Sequence, residues 1–410
     1  MYKILVEKLK KNFILQYLHK CFLILNEYIH IYLYPINYSK IKRYLSKNKA
    51  TINTIKDYVL KSKKEKFRKI IFVIDGDLEE TGGVETRIKK TIDFLISRNF
   101  VPIIIAKENK FRLITNCFFI KFSFENSLTL KFFIKITKKI KPEYIEFQLK
   151  SVSAEILAYI GKKQINELKK ISRTGILFHS QQYFLLEKQI KRFDSIISVS
   201  TDWLKKFKNL QHKIYKIPNC ITIQNENWHY SGQTKILYIS RFSKDKIQHV
   251  RNLISLCKIY KFSIDIAGAG EVQFIKDAIN FAKSKNVDIN FIGQINSIQY
   301  LRKNLNNILF VAGVGQVILE ATSFNIPSFV ITNHKNASFS QFVTKDNVKI
   351  ITEYNCVLNK LKIFGNEFEK FIKDIPNNLD KYCVKDYIET NYSVEKIMNA
   401  YIRACRIKGN

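Results

Sequence analysis

The chain has 410 residues, of which 46% are hydrophobic and 13% aromatic, so it is long enough for two domains with their own cores and too apolar for a disordered protein. Lysine and arginine outnumber aspartate and glutamate by 69 to 35, giving a formal net charge of +34. This surplus predicts attraction to polyanions, but a composition rich in Lys, Ile, Asn and Phe also follows from an AT-rich genome, so charge alone identifies no partner. The seven cysteines are scattered without a C-x-x-C pair, which excludes a disulfide framework and a cysteine-rich zinc site and favours the reducing cytosol.

Residues 1–66 form a basic extension whose pattern differs from the rest of the chain. Leu5, Leu9 and Phe13 begin a series of apolar residues at helical spacing, with lysines between them, which predicts amphipathic helices. Such helices lie in a membrane interface, here through residues 1–30, or pack on the protein's own surface or a partner subunit. No apolar run reaches the roughly 18 residues of a membrane-spanning helix, and no signal-peptide cleavage site is present. We therefore expect a cytoplasmic protein, and the first of these two interpretations of the extension adds peripheral contact with the inner face of the cell membrane.

From Lys69 onward, short apolar segments alternate with helical stretches, and we assign residues 67–222 to a first domain. The predicted helix of this domain with the clearest amphipathic pattern covers residues 84–99. Strands that are apolar throughout and alternate with helices indicate a parallel sheet covered on both faces, as in a Rossmann-like domain. The strands are predicted at 69–74, 101–107, 143–148, 175–180 and 195–200.

A polar stretch at 224–234 is predicted to be a linker, after which the alternation of strands and helices begins again. We assign residues 223–375 to a second Rossmann-like domain and residues 376–410 to C-terminal helices. Ligands of open α/β sheets bind outside the carboxyl ends of the strands, so the loops after these strands are the candidate sites. The strands are predicted at 235–240, 263–268, 289–293, 308–313 and 327–332.

The loop after the first of these strands carries two cations. Arg241 follows the strand directly, and Lys246 comes five residues later, just before a predicted helix. Arginine offers a bidentate fork and lysine a compact charge, and a helix N-terminus adds backbone donors, so this loop suits a diphosphate. Exposed basic residues are common in this chain, however, and two solvated side chains are the simpler alternative.

Two further loops of the second domain combine glycines with possible ligand contacts. Gly268 ends a predicted strand, where it allows a tight turn and close approach of the backbone to a ligand. Gly313 and Gly315 open a predicted helix whose first amides can hold phosphate, and Glu320 lies one to two turns further on. A carboxylate there can accept two hydrogen bonds from a ribose diol, although a lone glutamate is more often solvated or salt-bridged.

In their order and spacing these loops resemble the C-terminal half of the glycosyltransferase family four proteins. That family shows G-R-x4-K after a strand, then a G-x-G loop, then E-G-x-G-x4-E-A with G-x-P shortly after. The counterparts here are S-R-F-S-K-D-K, A-G-A-G-E and A-G-V-G-Q-V-I-L-E-A-T-S-F-N-I-P. The first half adds a G-G-x-E loop at Gly82 and Gly83, a strand-end histidine at His179, and I-P-N-C-I at 217–221 in place of P-N-G-I. N-Y-S-V-E-K-I-M-N-A-Y-I-R-A at 391–404 is similar to the family's last helix.

The resemblance, which runs from about residue 67 to residue 404, implies an α/β protein of the GT-B fold. In that fold two Rossmann-like domains face each other across a cleft and the last helices cross back to the first domain; here an N-terminal helical extension is added. The implied activity is a retaining, metal-independent transfer of a sugar from a nucleotide diphosphate sugar to an acceptor hydroxyl, without a cofactor. The implied acceptor is a glycan or a lipid-linked glycan, in the synthesis of a bacterial surface glycan such as capsule or lipopolysaccharide.

The resemblance also implies roles for individual residues. Arg241 and Lys246 would stabilise the leaving diphosphate, and His179 would hold the sugar or the acceptor. The amides at Gly82 and Gly83 would approach the donor phosphate and the acceptor. Gly268, Gly313 and Gly315 would line the donor site, and Glu320 would bind the ribose. Ala312 replaces the family's upstream acid, which contacts hydroxyls of the donor sugar, so ordinary hexose transfer is less well supported than nucleotide binding.

Three other interpretations compete with this one. Asp75 and Asp77 form a D-x-D pair that could share a hard cation, but a GT-B enzyme works without metal. A GT-B-like binding or accessory subunit without activity is the main alternative, because Ala312 and Cys220 depart from the family pattern. A basic nucleic-acid-binding protein is a remote alternative, because the sequence lacks a recognisable recognition helix, aromatic RNA-binding strand or zinc finger.

Overall fold

The computed structural model describes residues 68–74, 83–107, 117–121, 127–149, 162–178, 190–201, 207–244, 246–331, 340–356, 367–375 and 378–406. The chain divides into two compact units. The first consists of Met1–Ile217 together with Met398–Asn410, and the second is Pro218–Ile397. The predicted helices of residues 1–66 lie outside the described ranges. Among the described helices, none has both the length and the apolar character needed to cross a membrane.

The first unit is built on a parallel sheet, which in the described residues has seven strands in the order β3-β2-β1-β4-β5-β6-β7. The central strand β1 has the sequence RKIIFVI, and its residues Ile70 to Val73 are fully buried, as expected for a strand covered on both faces. The strands are β1 (Arg68–Ile74), β2 (Phe100–Ala106), β3 (Phe118–Lys121), β4 (Tyr144–Leu149), β5 (Arg173–Phe178), β6 (Ser195–Ser198) and β7 (Ile214–Lys216).

Helices connect the strands of the first unit and cover its sheet. In the first helix Ile88, Ile92 and Leu95 are buried at a spacing of three to four residues, so one face of the helix lies toward the core. The described helices of this part are α1 (Gly83–Ser97), α2 (Ser127–Ile140) and α3 (Lys162–Lys169). The same core contains an edge-to-face pair between Phe133 of α2 and Phe147 of β4, with ring centroids 6.2 Å apart.

The second unit contains another largely parallel sheet, described with six strands in the order β10-β9-β8-β11-β12-β13. Only the pairing of β12 with β13 is antiparallel among these described strands. The strands are β8 (Lys235–Ile239), β9 (Ser263–Ala267), β10 (Ile289–Gly293), β11 (Ile308–Gly313), β12 (Ser328–Val330) and β13 (Gln341–Phe342). The helices are α4 (Ile247–Tyr260), α5 (Val272–Ser284), α6 (Ser297–Lys303), α7 (Gln316–Thr322), α8 (Val348–Glu353), α9 (Glu367–Asp374), α10 (Lys385–Tyr392) and α11 (Val394–Cys405), the last of which continues into the first unit.

Both sheets reverse their strand order at one place. In the first sheet the chain moves outward from β1 to β3 and then returns to place β4 on the other side of β1. In the second sheet it moves from β8 to β10 and returns to place β11 beside β8. The loops that leave two neighbouring strands in opposite directions open a crevice at the carboxyl edge of the sheet, where α/β proteins bind ligands. The second unit therefore has its crevice between β8 and β11.

The fold-class prediction of an α/β protein with two parallel-sheet domains is confirmed. The segment predicted as a polar linker is, however, packed on the second unit. Trp228 is buried, its indole N–H donates to the Ile308 carbonyl at 2.7 Å, and its backbone N–H donates to the Phe324 carbonyl at 2.7 Å. The indole offers a large apolar surface to the core and a single donor to the backbone, so this one side chain attaches an otherwise polar segment.

Candidate functional site

The three loops singled out in the sequence lie together at the carboxyl edge of the second sheet. β8 is hydrogen-bonded to β9 on one side and to β11 on the other, and all three strands run parallel. Ile239 pairs with Ala267, and Tyr238 pairs with Ala312, so the strands end at the same level. The loops that begin at residues 240, 268 and 314 consequently leave from adjacent positions around the crevice between β8 and β11.

Arg241 is exposed in the loop after β8, and its neighbours explain why. The backbone N–H of Ser240 donates to the Ala267 carbonyl at 3.1 Å, and that of Phe242 donates to the Ala269 carbonyl at 2.9 Å. The Phe242 side chain is buried in the core of the unit. Because alternate residues of an extended segment point to opposite sides, burial of Phe242 directs Arg241 to the solvent side of the edge. A guanidinium placed in this way can reach an anionic ligand.

Lys246 stands at the beginning of α4, as the sequence predicts. Its backbone N–H donates to the Ser243 carbonyl at 2.8 Å, and its carbonyl accepts from the His249 N–H at 3.0 Å. Its side chain is half-buried. The turn that starts at Ser243 thus fixes the backbone of the second cation at the start of a fourteen-residue helix, where the helix dipole also favours an anion.

Gly268 is required by the packing of the loop itself. Its φ is +149°, and a Cβ added there would lie 1.7 Å from the Ser240 carbonyl oxygen. Gly270 is similar, with φ of +157° and a Cβ position 2.1 Å from the Phe242 carbonyl oxygen. These glycines therefore allow the loop after β9 to pack against the loop that carries Arg241. Their contribution to a ligand site is to position that loop.

The two glycines at the carboxyl end of β11 and just after it have different structural roles. A Cβ on Gly313 would lie 2.5 Å from the Val317 side chain, so this glycine lets α7 turn back closely over the strand end. Gly315 has φ of +70°, and its N–H donates to the Cys356 carbonyl at 3.1 Å, so in this structure that N–H is already bonded. Any phosphate contact at this loop would use the other amides at the start of α7, a helix of seven residues.

Glu320 is buried on α7, which excludes the alternative of a solvated glutamate. Its relative exposure is 8%, and its Oε2 accepts a hydrogen bond of 2.5 Å from the Ser297 hydroxyl. Ser297 is the first residue of α6, the helix that packs against α7. A hydroxyl that donates to one carboxylate oxygen restricts the rotamer of the glutamate.

The position of the missing acid, Ala312, lies inside the hydrophobic core. Ala312 is the fifth residue of β11 and is fully buried among side chains that include Tyr238 and Phe329. An acidic side chain placed here without other changes would be surrounded by these apolar groups, which is costly for a charge. The packing around residue 312 is therefore adapted to a small apolar side chain.

Three polar residues without a predicted role, Asn219, Gln316 and Asn355, lie near the loop that follows β11. Asn219 is largely buried, and its side-chain N–H donates to Asn355 Oδ1 at 3.2 Å. The Gln316 side chain donates to the Cys220 carbonyl at 3.4 Å. Burial raises the pKa of the neighbouring Cys356 thiol to about 12, so this thiol stays neutral. Asn219 stands in the motif I-P-N-C-I, and Gln316 stands at a variable position of the motif A-G-V-G-Q-V-I-L-E-A, whereas Asn355 stands in a stretch without a motif.

Several predicted site residues belong to the first unit. Gly83 is the first residue of α1. Gly82 and His179 lie outside the described residues, as does the Asp75-Gly76-Asp77 triplet, so their predicted roles stay predictions. Among the described residues, no group of three or more His, Cys, Asp or Glu side chains is placed to hold a metal ion.

Comparison with solved structures identifies the architecture. The galactosyltransferase WaaB of the lipopolysaccharide outer core matches 82% of this chain and 98% of its own, with a TM-score of 0.57 and 13% identity. A glycosyltransferase from Rickettsia africae covers 83% of this chain and 98% of its own, with a TM-score of 0.59 and 14% identity. HepE of Anabaena, solved with UDP, covers 82% and 99%, with a TM-score of 0.61 and 13% identity.

The chain has the GT-B fold. At these identities the likeness establishes the fold alone. No family model matches the sequence, and neither does any curated protein.

Proposed function

We propose that the protein is a glycosyltransferase that moves a sugar from a nucleotide diphosphate sugar to an acceptor hydroxyl. The observation that carries this proposal is the position of Arg241, Lys246 and Glu320, which come from two separate segments of the second unit. Arg241 and Lys246 flank the loop after β8, and Glu320 lies on the helix after β11, on the two sides of the crevice where the strand order reverses. A nucleotide diphosphate needs cations at one end and a diol acceptor at the other, and these segments supply both.

The two cations are assigned to the diphosphate. When the bond between the anomeric carbon and the diphosphate breaks, negative charge develops on the leaving phosphate oxygen and positive charge on the sugar. Arg241, exposed at the carboxyl edge, and Lys246, at the start of α4, would stabilise the developing negative charge without further reorganisation. His179, which lies outside the described residues, is proposed to hold the sugar or the acceptor.

The carboxylate of Glu320 is assigned to the ribose. A carboxylate accepts hydrogen bonds from two neighbouring hydroxyls, and the hydrogen bond from Ser297 restricts the side chain to one orientation. The structures of Anabaena HepE were solved with UDP and with UDP-glucose. This supports uridine diphosphate sugars as the first donors to test.

We further propose that transfer proceeds with retention at the anomeric carbon and without a metal ion, toward a glycan or lipid-linked acceptor of a bacterial surface polysaccharide. These points rest on the resemblance of the loops to family four glycosyltransferases. Burial of Ala312 supports a donor sugar that is held by groups other than the acid that this family places there.

A second candidate function is a GT-B protein that binds a nucleotide sugar without transferring it. The observation that favours it is that residue 312 is an alanine in the apolar core, so no acidic side chain at this position can contact the donor sugar. The two candidates predict the same nucleotide binding and differ in turnover. A transfer and hydrolysis assay with radiolabelled nucleotide sugars on the purified chain separates them, because only the enzyme releases the nucleoside diphosphate.

Nucleotide binding is tested by thermal denaturation with a panel of nucleoside diphosphates. A ligand present at 100 times its dissociation constant stabilises the native state by about 2.7 kcal/mol. For a domain of this size such a stabilisation raises the melting temperature by roughly 5–10 °C. We expect one nucleoside diphosphate to produce this rise, and Glu320→Ala and Arg241→Ala each to reduce it strongly.

Two control variants make this experiment specific. Lys276→Ala removes an exposed cation from α5, and Glu389→Ala removes an exposed carboxylate from α10, both in the same unit. Both variants should retain the full stabilisation. If no nucleotide raises the melting temperature, or if the control variants weaken the effect as much as Glu320→Ala and Arg241→Ala do, the proposed donor site is wrong.

A further inference from the structure

A pocket of about 550 Å³ lies at the other end of the second sheet, among the amino ends of its strands. Lys235, Ser263 and Ile308 line it, and they are the first residues of β8, β9 and β11. β8 has five residues, so about 16 Å of strand separates this pocket from the carboxyl edge. The volume falls within the range of about 300–1,000 Å³ that is typical of small-molecule sites. The proposed nucleotide site does not include it.

One carboxylate, that of Asp265 on β9, is held within the wall of this pocket by three donors. Asn290 donates to its Oδ1 at 3.1 Å, the Tyr300 hydroxyl donates to its Oδ2 at 3.3 Å, and the Lys235 ammonium lies 3.5 Å from Oδ2. Burial, together with the nearby carboxylate, raises the pKa of Tyr300, so its hydroxyl remains protonated. The charges of Lys235 and Asp265 therefore compensate each other. The polar groups that the pocket offers to a ligand are then mainly hydroxyls and amides.

The rim of the pocket carries further amides on pre-formed loops. The buried Gln233 accepts from the Ser231 backbone N–H at 2.8 Å and donates to the His229 carbonyl at 2.9 Å, which fixes the loop before β8. Before the neighbouring strand β11, the 3-10 turn Leu305–Asn307 presents the exposed side chains of Asn306 and Asn307. An amide donates and accepts at the same time, so these side chains can bind a ligand whose hydroxyls do the same.

The side chains that line the pocket indicate which class of ligand it can bind. Lys235 is the cation among the described residues that line the pocket, and it is paired with Asp265, so a phosphate would find no uncompensated positive charge. The lining is mostly amide and hydroxyl, which disfavours an apolar ligand. Paired donors and acceptors around a small cavity match the vicinal hydroxyls of a sugar ring. We propose that this pocket is a binding site for a neutral saccharide, separate from the site of transfer.

Saccharide binding is tested on the full chain by saturation-transfer NMR with glucose, galactose, N-acetylglucosamine and maltose at millimolar concentration. Tyr300→Phe removes the hydroxyl that faces Asp265, and Asn307→Ala removes an exposed amide of the rim. Each loss of one hydrogen bond should weaken saccharide binding roughly tenfold. The matched control is Gln299→Ala, which removes an exposed amide from the same helix as Tyr300 but outside the pocket, and it should bind like the wild type.

A competition arm distinguishes this site from the donor site. Saturating UDP or inorganic phosphate should leave the saccharide signal unchanged, and Glu320→Ala should bind the saccharide normally. The proposal is overturned if none of the four saccharides binds, if both pocket variants bind like Gln299→Ala, or if UDP or phosphate displaces the sugar. The saccharide signal requires neither nucleotide binding nor turnover. The saccharide experiment can therefore be interpreted even if the protein proves not to be a glycosyltransferase.

Discussion

A buried carboxylate in the first unit makes the stability of the protein depend on pH. Glu146 on β4 is fully buried, and its Oε1 accepts a hydrogen bond of 2.6 Å from Gln148. Burial raises the pKa of Glu146 from 4.5 to about 7, against the opposing effects of Tyr401, Arg87 and Gln148. Tyr401 lies on α11, in the C-terminal segment that belongs to the first unit, so this carboxyl group contacts the end of the chain.

The sign and size of the effect follow from this raised pKa. Below pH 4.5 the carboxyl group is protonated in both the folded and the unfolded chain. Between pH 4.5 and 7 the unfolded chain releases the proton and the folded chain keeps it, so the free energy of unfolding falls as the pH rises. Above pH 7 both states are ionised and the fall ends. With about 1.4 kcal/mol for each pKa unit, the whole loss is about 3 kcal/mol.

Glu146→Gln removes this titration while it keeps the shape of the side chain and an oxygen that can accept from Gln148. We expect the variant to equal the wild type near pH 4.5 and to exceed its unfolding free energy by about 3 kcal/mol at pH 8.5. The assay is urea denaturation, followed by circular dichroism, at a series of pH values.

Glu167→Gln on α3 serves as the control, because it removes a partly exposed carboxylate from the same unit. The difference between each variant and the wild type cancels the other titrating groups. A constant difference between Glu146→Gln and the wild type from pH 4.5 to 8.5 would refute the reasoning, since the carboxyl group would then titrate equally in both states.

Three further predictions concern the second unit. Gly268→Ala should lower its unfolding free energy by at least about 2 kcal/mol in urea denaturation, because a Cβ would clash with the Ser240 carbonyl in a strained backbone conformation. Ser297→Ala should weaken binding of the nucleoside diphosphate about tenfold in calorimetry by releasing Glu320, and should leave binding of a 2′,3′-dideoxy nucleotide unchanged. Arg241→Ala should lower kcat for sugar transfer on the order of 10²-fold in a radiolabelled assay.

Each of these three predictions can be contradicted by a specific result. Gly232→Ala changes another glycine of positive φ, at +87°, but no atom lies within 4 Å of its Cβ position, so it should cost less than Gly268→Ala. If both cost the same, the close approach of the loops is not what requires glycine. If Ser297→Ala lost as much affinity for the dideoxy nucleotide as for the nucleoside diphosphate, Glu320 would not be the group that binds the ribose hydroxyls. If Arg241→Ala turned over at the wild-type rate, the Arg241 side chain would have no role in catalysis.

Much of the fold could be predicted because the strands are apolar and are separated by helices. The strands of both units that carry long runs of Ile, Val and Phe were predicted to within a few residues, and the reversal of the strand order follows from the usual arrangement of such units. Three strands were missed: β3, β7 and β13. They have four, three and two residues, too few for a periodic pattern to emerge, and each lies at an edge of its sheet.

The candidate site was predictable where a loop directly follows a strand. Arg241, Gly268 and Gly315 were found for that reason, because parallel strands bring the loops after their carboxyl ends together. Ser297 could not be predicted as a site residue. It begins α6, which follows β10, and β10 lies three positions away from β11 in the sheet. Ser297 reaches Glu320 only because α6 packs against α7. The structural role of Gly268 could not be predicted either, because it depends on the approach of another loop.

The central claim is that the carboxyl edge of the second sheet holds a nucleoside diphosphate. A crystal structure of the full chain with the nucleoside diphosphate that most raises its melting temperature tests this directly. The proposal predicts that the Arg241 guanidinium and the Lys246 ammonium contact the phosphates and that Glu320 accepts hydrogen bonds from the ribose hydroxyls. A nucleotide bound elsewhere, or these three side chains directed away from it, would contradict the account.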